Sequence, residues 1–242
     1  MIKLFADGAD WDGIVNAASD PEISGFTTNP TLMKSAGVKD YSTFAVSIID
    51  YLADNRPDTS ISLEVFADDE ENIIRQAKIL ANWGEEKNYD VYVKIPVMYT
   101  NGEPTYDLIS KLANENINLN VTAVFTYNQS FNVIHSLAKS KKQHILSIFA
   151  GRIADAGVNP EFVFDDVHEY LSQQNIKNVL TLWASSREAY NYQQARSIGV
   201  DIITMTPDLI KKVKGFGKDL KQFSLETCQM FRNDALSSGF LL

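Results

Sequence analysis

Eight short apolar runs recur along the chain, separated by stretches whose apolar residues return every three or four positions. That alternation of strand-like and helix-like periods points to a parallel sheet covered by helices. The runs occupy residues 2–6, 23–27, 61–66, 91–95, 119–124, 145–149, 179–183 and 201–203. Segments 70–83, 105–116, 128–138, 160–173 and 187–197 carry the helical spacing between them. Capping residues mark several helix starts: Asp68 and Asp69 before one, Thr126 before another, Ser185 or Ser186 before a third. Eight strand–helix units within 242 residues close into a (β/α)₈ TIM barrel more naturally than they form an open doubly wound sheet. The first loop also lacks the Gly-x-Gly-x-x-Gly fingerprint of a dinucleotide fold. The expected organisation is one α/β domain over residues 1–242, with 216–236 an extra C-terminal helix. Phe223, Leu225, Met230 and Phe231 give that helix apolar groups to bury, against the barrel or against another subunit of a homo-oligomer.

Composition narrows the function classes. A net charge of −9 argues against a general nucleic-acid surface, which is built from clustered Lys and Arg, so an anionic ligand must meet a local basic site. The N-terminal residues show no basic region followed by an apolar stretch and cleavage site, and no apolar run reaches membrane-spanning length. A cytoplasmic protein without membrane contact is expected. The single cysteine, Cys228, has no internal disulfide partner and is read as structural. His135, His144 and His168 lack metal-ligand spacing, so no metal and no histidine-based triad is expected.

A barrel places its chemistry at the carboxyl ends of its strands, which makes each polar residue there informative. Asp7 ends the first run, Thr28 and Asn29 follow the second, and Glu64 interrupts the third. Lys94, Thr122, Ser147 and Ser185 mark the fourth to seventh. In Val-Tyr-Val-Lys94-Ile-Pro-Val the ammonium stands among apolar residues, where burial penalises the charged form. A partly neutral amine condenses with a ketone, and the resulting iminium lets the neighbouring carbon–carbon bond break, as in a class I aldolase. The alternative is a lysine whose stem packs while its head reaches the barrel mouth, or one paired with Glu64 as a structural ion pair. Glu64 alternates with Leu63 and Val65, which turns it toward the interior, where a carboxyl can shuttle protons. Asp7 is a candidate acceptor for a substrate hydroxyl proton, or else a helix cap before Trp11. Arg152 and Arg187 fall just past the sixth and seventh runs, where paired guanidinium groups suit a phosphate; pairing with surface carboxylates is the other reading.

These residues sit in a recognisable pattern. Leu-Phe-Ala-Asp7, Gly-Phe-Thr-Thr28-Asn29-Pro, Leu-Glu64-Val, Val-Lys94-Ile-Pro-Val, Leu-Asn-Val-Thr122, Phe149-Ala-Gly-Arg152-Ile and Ala-Ser185-Ser-Arg187 together resemble the transaldolase family, including its small fructose 6-phosphate aldolase relatives. The match runs from Ile2 to about Lys212. By that resemblance Lys94 forms a Schiff base with a ketose phosphate, Asp7 is the acid/base on the substrate hydroxyl, and Glu64 with Thr122 holds a proton-relaying water. Asn29 and Ser147, with Thr28 beside them, would meet the donor's hydroxyl groups, and Arg152, Ser185 and Arg187 the phosphate. The resemblance implies sugar phosphate partners and no cofactor. The implied reaction moves a dihydroxyacetone unit from fructose 6-phosphate or sedoheptulose 7-phosphate to an aldose phosphate, in the manner of the pentose phosphate pathway. Phe149 resembles the transferases, whereas the aldolases look to carry tyrosine there. The rivals are an aldolase that releases free dihydroxyacetone and a non-catalytic sugar-phosphate-binding barrel. Two departures stand out: Met98-Tyr-Thr-Asn-Gly102 follows Val97 where threonine is common, and Ser186 replaces an aromatic residue.

Overall fold

The computed structural model of the chain describes residues 2–240. Eight parallel strands close into a barrel in chain order: β1 (Lys3–Asp7), β2 (Ile23–Thr27), β3 (Ser60–Glu64), β4 (Asp90–Pro96), β5 (Leu119–Val124), β6 (His144–Ile148), β7 (Val179–Trp183) and β8 (Ile202–Met205). β1 pairs with both β2 and β8, which closes the ring. Around it lie α1 (Trp11–Ala18), α2 (Pro30–Ser35), α3 (Tyr41–Asn55), α4 (Glu70–Lys87), α5 (Tyr106–Asn114), α6 (Tyr127–Leu137), α7 (Ala150–Asp155), α8 (Glu161–Gln173), α9 (Asn191–Ser197) and α10 (Pro207–Lys214), with α11 (Leu220–Ser237) after the eighth unit. The (β/α)₈ barrel is therefore the fold, and the extra helix starts and ends within a few residues of its expected span.

Strand alternation creates two separate apolar regions. On β4, Val91, Val93 and Ile95 face outward into the layer shared with the helices, while Tyr92 and Lys94 face the barrel interior. The outer layer is the main core, and burying each of its aliphatic side chains contributes roughly 1.5–3 kcal/mol. The interior floor is a smaller cluster of Phe5, Tyr92, Ile145, Leu182 and Ile202. Gly25 makes room for the Phe5 ring, since a Cβ there would stand 2.5 Å from Phe5 Cζ.

Several helix boundaries follow the expected chemistry. Asp69 caps α4 by accepting from the Asn72 N–H, and Thr126 forms a complete capping box with Gln129 on α6. Ser185 and Ser186 do not cap the next helix: α9 begins after Tyr190, because residues 185–190 make a loop over the barrel mouth. The third strand stops at Glu64, two residues earlier than its apolar run suggests, and Phe66 is 64% exposed in the loop beyond. The α11 helix buries none of its residues; Phe223, Leu225, Met230 and Phe231 are all exposed, as is Cys228, which therefore packs into no core of this chain. Among the described residues no helix is long and apolar enough to cross a membrane.

Candidate active site

The carboxyl ends of the strands surround a cavity of about 450 Å³ whose walls include Asp7, Asn29, Glu64, Lys94, Thr122, Ser147, Phe149, Arg152, Ser185 and Arg187. A depression of about 470 Å³ is lined by His135, Ser140, Tyr170 and Lys177 among others, and there the Ser140 hydroxyl donates to the Ala113 carbonyl. The buried lysine and the carboxyl groups beside it make the mouth the candidate site.

Lys94 is almost wholly buried there, at 6% exposure. Its Nζ lies 3.0 Å from Glu64 Oε2 and donates to the Thr28 carbonyl at 3.1 Å. The contact follows from strand register, because Glu64 and Lys94 are direct partners across β3 and β4. Tyr41, on α3, donates its hydroxyl to the Glu64 carbonyl at 2.8 Å and fixes the backbone at that strand end. Burial pushes the Tyr41 phenol up, so it stays a donor. The ion pair that the sequence offered as an alternative is present, and it opens directly onto the cavity.

Asp7 keeps some exposure at the mouth, yet its carboxyl is enclosed by protein. Burial pushes it up from the ordinary aspartate value, while the charge of Lys94 and a hydrogen bond from Thr27 pull the other way. Thr27 Oγ1 donates to Asp7 Oδ1 at 2.7 Å, which leaves the Thr204 hydroxyl to donate to Thr27 across 2.5 Å. Asp7 is free of the capping role, because Asp10 caps α1. Thr122 is buried, and its hydroxyl has no hydrogen-bond partner among the described residues. A donor–acceptor group left open beside Lys94 and Glu64 is positioned to hold a water or a substrate oxygen.

The remaining expected residues divide. Asn29 caps α2 with its side-chain oxygen, which leaves the amide nitrogen for the cavity. Ser147 donates to Asn120 Oδ1 at 2.6 Å, and Asn120 donates to Ser62 Oγ at 2.9 Å, so a polar chain links β6, β5 and β3 at the level of the amine. Thr28 is the exception. It is fully buried, outside the cavity lining, and its hydroxyl is directed at the Ser62 carbonyl; the chain has turned past the inward phase held by Thr27. Its contribution is the carbonyl that accepts from Lys94. Arg152 lies with its guanidinium carbon 5.5 Å from the Phe149 ring centre and has no carboxylate partner among the described residues. Arg187 lines the cavity but is paired with Asp155 at 2.5 Å. Ser185 adopts φ +64°, a conformation unusual for a side chain other than glycine, as does Ala123 at φ +58°. Such strain costs about 1–3 kcal/mol and clusters at functional sites.

The sequence reading missed Thr27, Thr204, Asn120 and Ser62. The signal was available: Ser62 and Asn120 each lie two residues before a selected residue on the same strand, and so on the same inward phase.

The site can accordingly present a buried amine to a carbonyl, with two carboxyl groups and a free hydroxyl to move protons and two guanidinium groups at one side. Solved structures support the fold. One described as "Native KDPGal structure" superimposes with a TM-score of 0.54 at 13% identity, covering 85% of this chain and 82% of that one. N-acetylneuraminate lyase from Mycoplasma synoviae gives 0.54 at 10% identity over 93% of this chain and 76% of that one. Relatives in sequence are more specific. A protein of Dehalococcoides mccartyi named "Probable transaldolase" is 29% identical over 204 residues, 84% of this chain and 86% of its own. One from a Roseiflexus species with the same name is 32% identical over 203 residues, 84% and 85% of the two chains. The profile of the Transaldolase/Fructose-6-phosphate aldolase family matches residues 4–238, a span that holds every side chain of the cavity just described. By that match the chain belongs to the transaldolase/fructose-6-phosphate aldolase family.

Proposed function

We propose that the protein is a transaldolase that works through a Schiff base on Lys94. The observation that carries the reading is a lysine amine buried in the barrel mouth, 3.0 Å from Glu64, in a cavity that also holds Asp7. The Lys94 amine attacks the C2 carbonyl of a ketose phosphate, and water leaves as the iminium forms. Before it can attack, the amine must give up a proton, and Glu64 is the base in contact with it. Asp7 then removes the C4 hydroxyl proton, the C3–C4 bond breaks, and its electron pair passes into the iminium to give an enamine. The aldose phosphate departs. The enamine carbon attacks the aldehyde of a second aldose phosphate, Asp7 returns its proton to the new hydroxyl, and hydrolysis releases Lys94. Thr122 and Glu64 hold the water that carries protons in the outer steps. Asn29 and Ser147 meet the donor's hydroxyl groups, and Arg152, Ser185 and Arg187 hold the phosphate, which fixes the reacting geometry. The chain's own residues supply every proton transfer, so neither metal nor cofactor enters the scheme.

Fructose 6-phosphate or sedoheptulose 7-phosphate is the donor in this reading, and an aldose phosphate the acceptor. Transfer is favoured over release of free dihydroxyacetone because Phe149 puts a ring, without a hydroxyl, into the cavity wall, where it packs beside Phe125 with centroids 5.7 Å apart. Turnover of fructose 6-phosphate that needs an aldose acceptor supports transfer; equal turnover without one favours the aldolase.

Borohydride reduction in the presence of fructose 6-phosphate, followed by peptide mass analysis, is the decisive test. The expected adduct is a three-carbon or six-carbon sugar mass on Lys94, absent from Lys94→Met. No adduct, or one at another lysine, removes the mechanism and leaves a sugar-phosphate-binding barrel. The reading also includes a homo-oligomer joined through the apolar face of α11. Sedimentation of the full chain beside a Phe223→Asp/Phe231→Asp variant checks it, with a smaller species expected for the variant.

A further inference from the structure

We infer that Asp155 is a positioning residue for the phosphate end of the substrate, acting through Arg187. The inference rests on the reading above that Arg187 meets a phosphate. Both Nε and Nη2 of Arg187 donate to Asp155 Oδ2, at 3.0 and 2.5 Å. The two residues come from different units of the barrel, and their meeting is built into the backbone. Asp155 ends α7, whose Gly151 lies so close to the loop after β7 that a Cβ there would stand 1.7 Å from the Ser185 carbonyl oxygen and 3.0 Å from Arg187 Cγ. The loop is held from its other side by Asn191, whose side-chain oxygen accepts from the Arg187 N–H at 2.8 Å.

The geometry divides the guanidinium between two tasks. Asp155 takes the Nε–H and one Nη2–H, leaving three of the five donors: the second Nη2–H and both on Nη1. One from each nitrogen lies along the edge that grips two oxygens of a phosphate monoester at once. Without Asp155 the side chain, which is 49% exposed, has no other partner for its head among the described residues and must be ordered by the phosphate itself. Ordering a long, rotamer-rich side chain weakens binding, whereas one already held in place binds without that loss. The opposing influence is repulsion between Asp155 and the phosphate. It is the smaller of the two, because Asp155 is 54% exposed, screened by solvent and salt, and already paired with the arginine's charge. Arg152 makes the contrast: on the same helix it stacks over Phe149 and needs no carboxylate.

The test compares the full-length wild type with Asp155→Ala and Asp155→Asn, using glyceraldehyde 3-phosphate and glyceraldehyde as alternative acceptors with one donor. Binding of inorganic phosphate is measured separately by calorimetry. Asp155→Ala is expected to raise KM for the phosphorylated acceptor, and Kd for phosphate, by about two- to fivefold, the range open to an exposed charge pair. Its kcat, and the KM for glyceraldehyde, should hold. Asp155→Asn keeps an acceptor oxygen and should recover most of the loss. In an Arg187→Ala background the Asp155→Ala change should have no further effect, since it acts only through that arginine. Tighter phosphate binding in either variant, an equal change with both acceptors, or an undiminished effect without Arg187 would each overturn the inference. Phosphate calorimetry requires no turnover, so failure of Lys94 to form an adduct would sink the parent reading without deciding this one.

Discussion

His144 offers a test of the structure that is independent of catalysis. It is fully buried at the start of β6, its Nδ1 accepts from the Leu119 N–H at 3.2 Å, and its Nε2 has no partner among the described residues. Burial lowers its pKa from 6.5 to about 4. Between those values the unfolded chain binds a proton that the folded chain refuses, so stability falls as pH drops from 6.5 toward 4 and levels off below. Applying linkage to the two pKa values gives a loss of about 2 kcal/mol between pH 7 and pH 4.5 from this one group. Burial also lowers His168, which changes charge over the same window, so the comparison must be with His144→Asn. Asparagine offers an oxygen where Nδ1 accepts and carries no titrating group. Urea unfolding of both proteins at pH 7 and pH 4.5 isolates the effect of this histidine: the wild type should lose about 2 kcal/mol more than the variant over that interval. Equal losses would mean that His144 protonates freely in the folded chain, which the closed environment at the base of β6 forbids.

Three further outcomes are expected. Asp7→Asn should remove most of kcat and also the acidic limb of the kcat/KM profile; in the wild type that limb should lie above the ordinary aspartate range, because burial raises the Asp7 carboxyl and it must be ionised to act as base. Thr122→Val removes a buried hydroxyl without a partner and should raise stability by about 1 kcal/mol in urea unfolding while lowering turnover, the trade expected of a residue kept for function. Gly151→Ala must displace the Ser185 carbonyl, so thermal unfolding should show a loss of about 2 kcal/mol or more where an ordinary helical Gly→Ala change would gain about 1.

What the sequence exposed and what it concealed have physical causes. All eight strands were visible because a buried parallel strand is a short apolar run, and in β4 a single charged residue interrupts one. Lys94, Glu64 and Asp7 were visible for the same reason: a charge inside such a run is costly and invites an explanation. Thr27, Asn120, Ser62 and Thr204 were not, since small polar residues in strands are common and reveal their role only when register brings them together. Thr28 was misread because the motif holds two adjacent threonines and only one can point inward; strand phase decides which, and the strand ends between them. The short α2, six residues opened by Pro30, is too brief to show a period at all. Nor did spacing in sequence relate Asp155 to Arg187, which meet because α7 and the loop after β7 pack through Gly151.

An ion pair between Lys94 and Glu64 satisfies a structural reading and a catalytic one equally, so that contact alone does not choose between them. The layer beneath it favours the proposed catalytic one. A barrel that needs only a filled interior stacks branched and aromatic side chains through its whole height. This one does so at the level of Phe5, Tyr92, Ile145 and Ile202, and then stops. Two residues further along the same strands, on the same inward phase, stand Asp7, Lys94, Ser147 and Thr204. Each change exchanges apolar burial for a polar group that must be hydrogen-bonded or paired, a loss to stability at every position. Four strands making the same exchange at one level, around a cavity rather than a closed contact, is the arrangement expected where stability has been given up for chemistry. Replacing the pair alone would not restore an ordinary barrel, because Asp7, Thr27 and Thr204 would still be organised about the space that Lys94 had left.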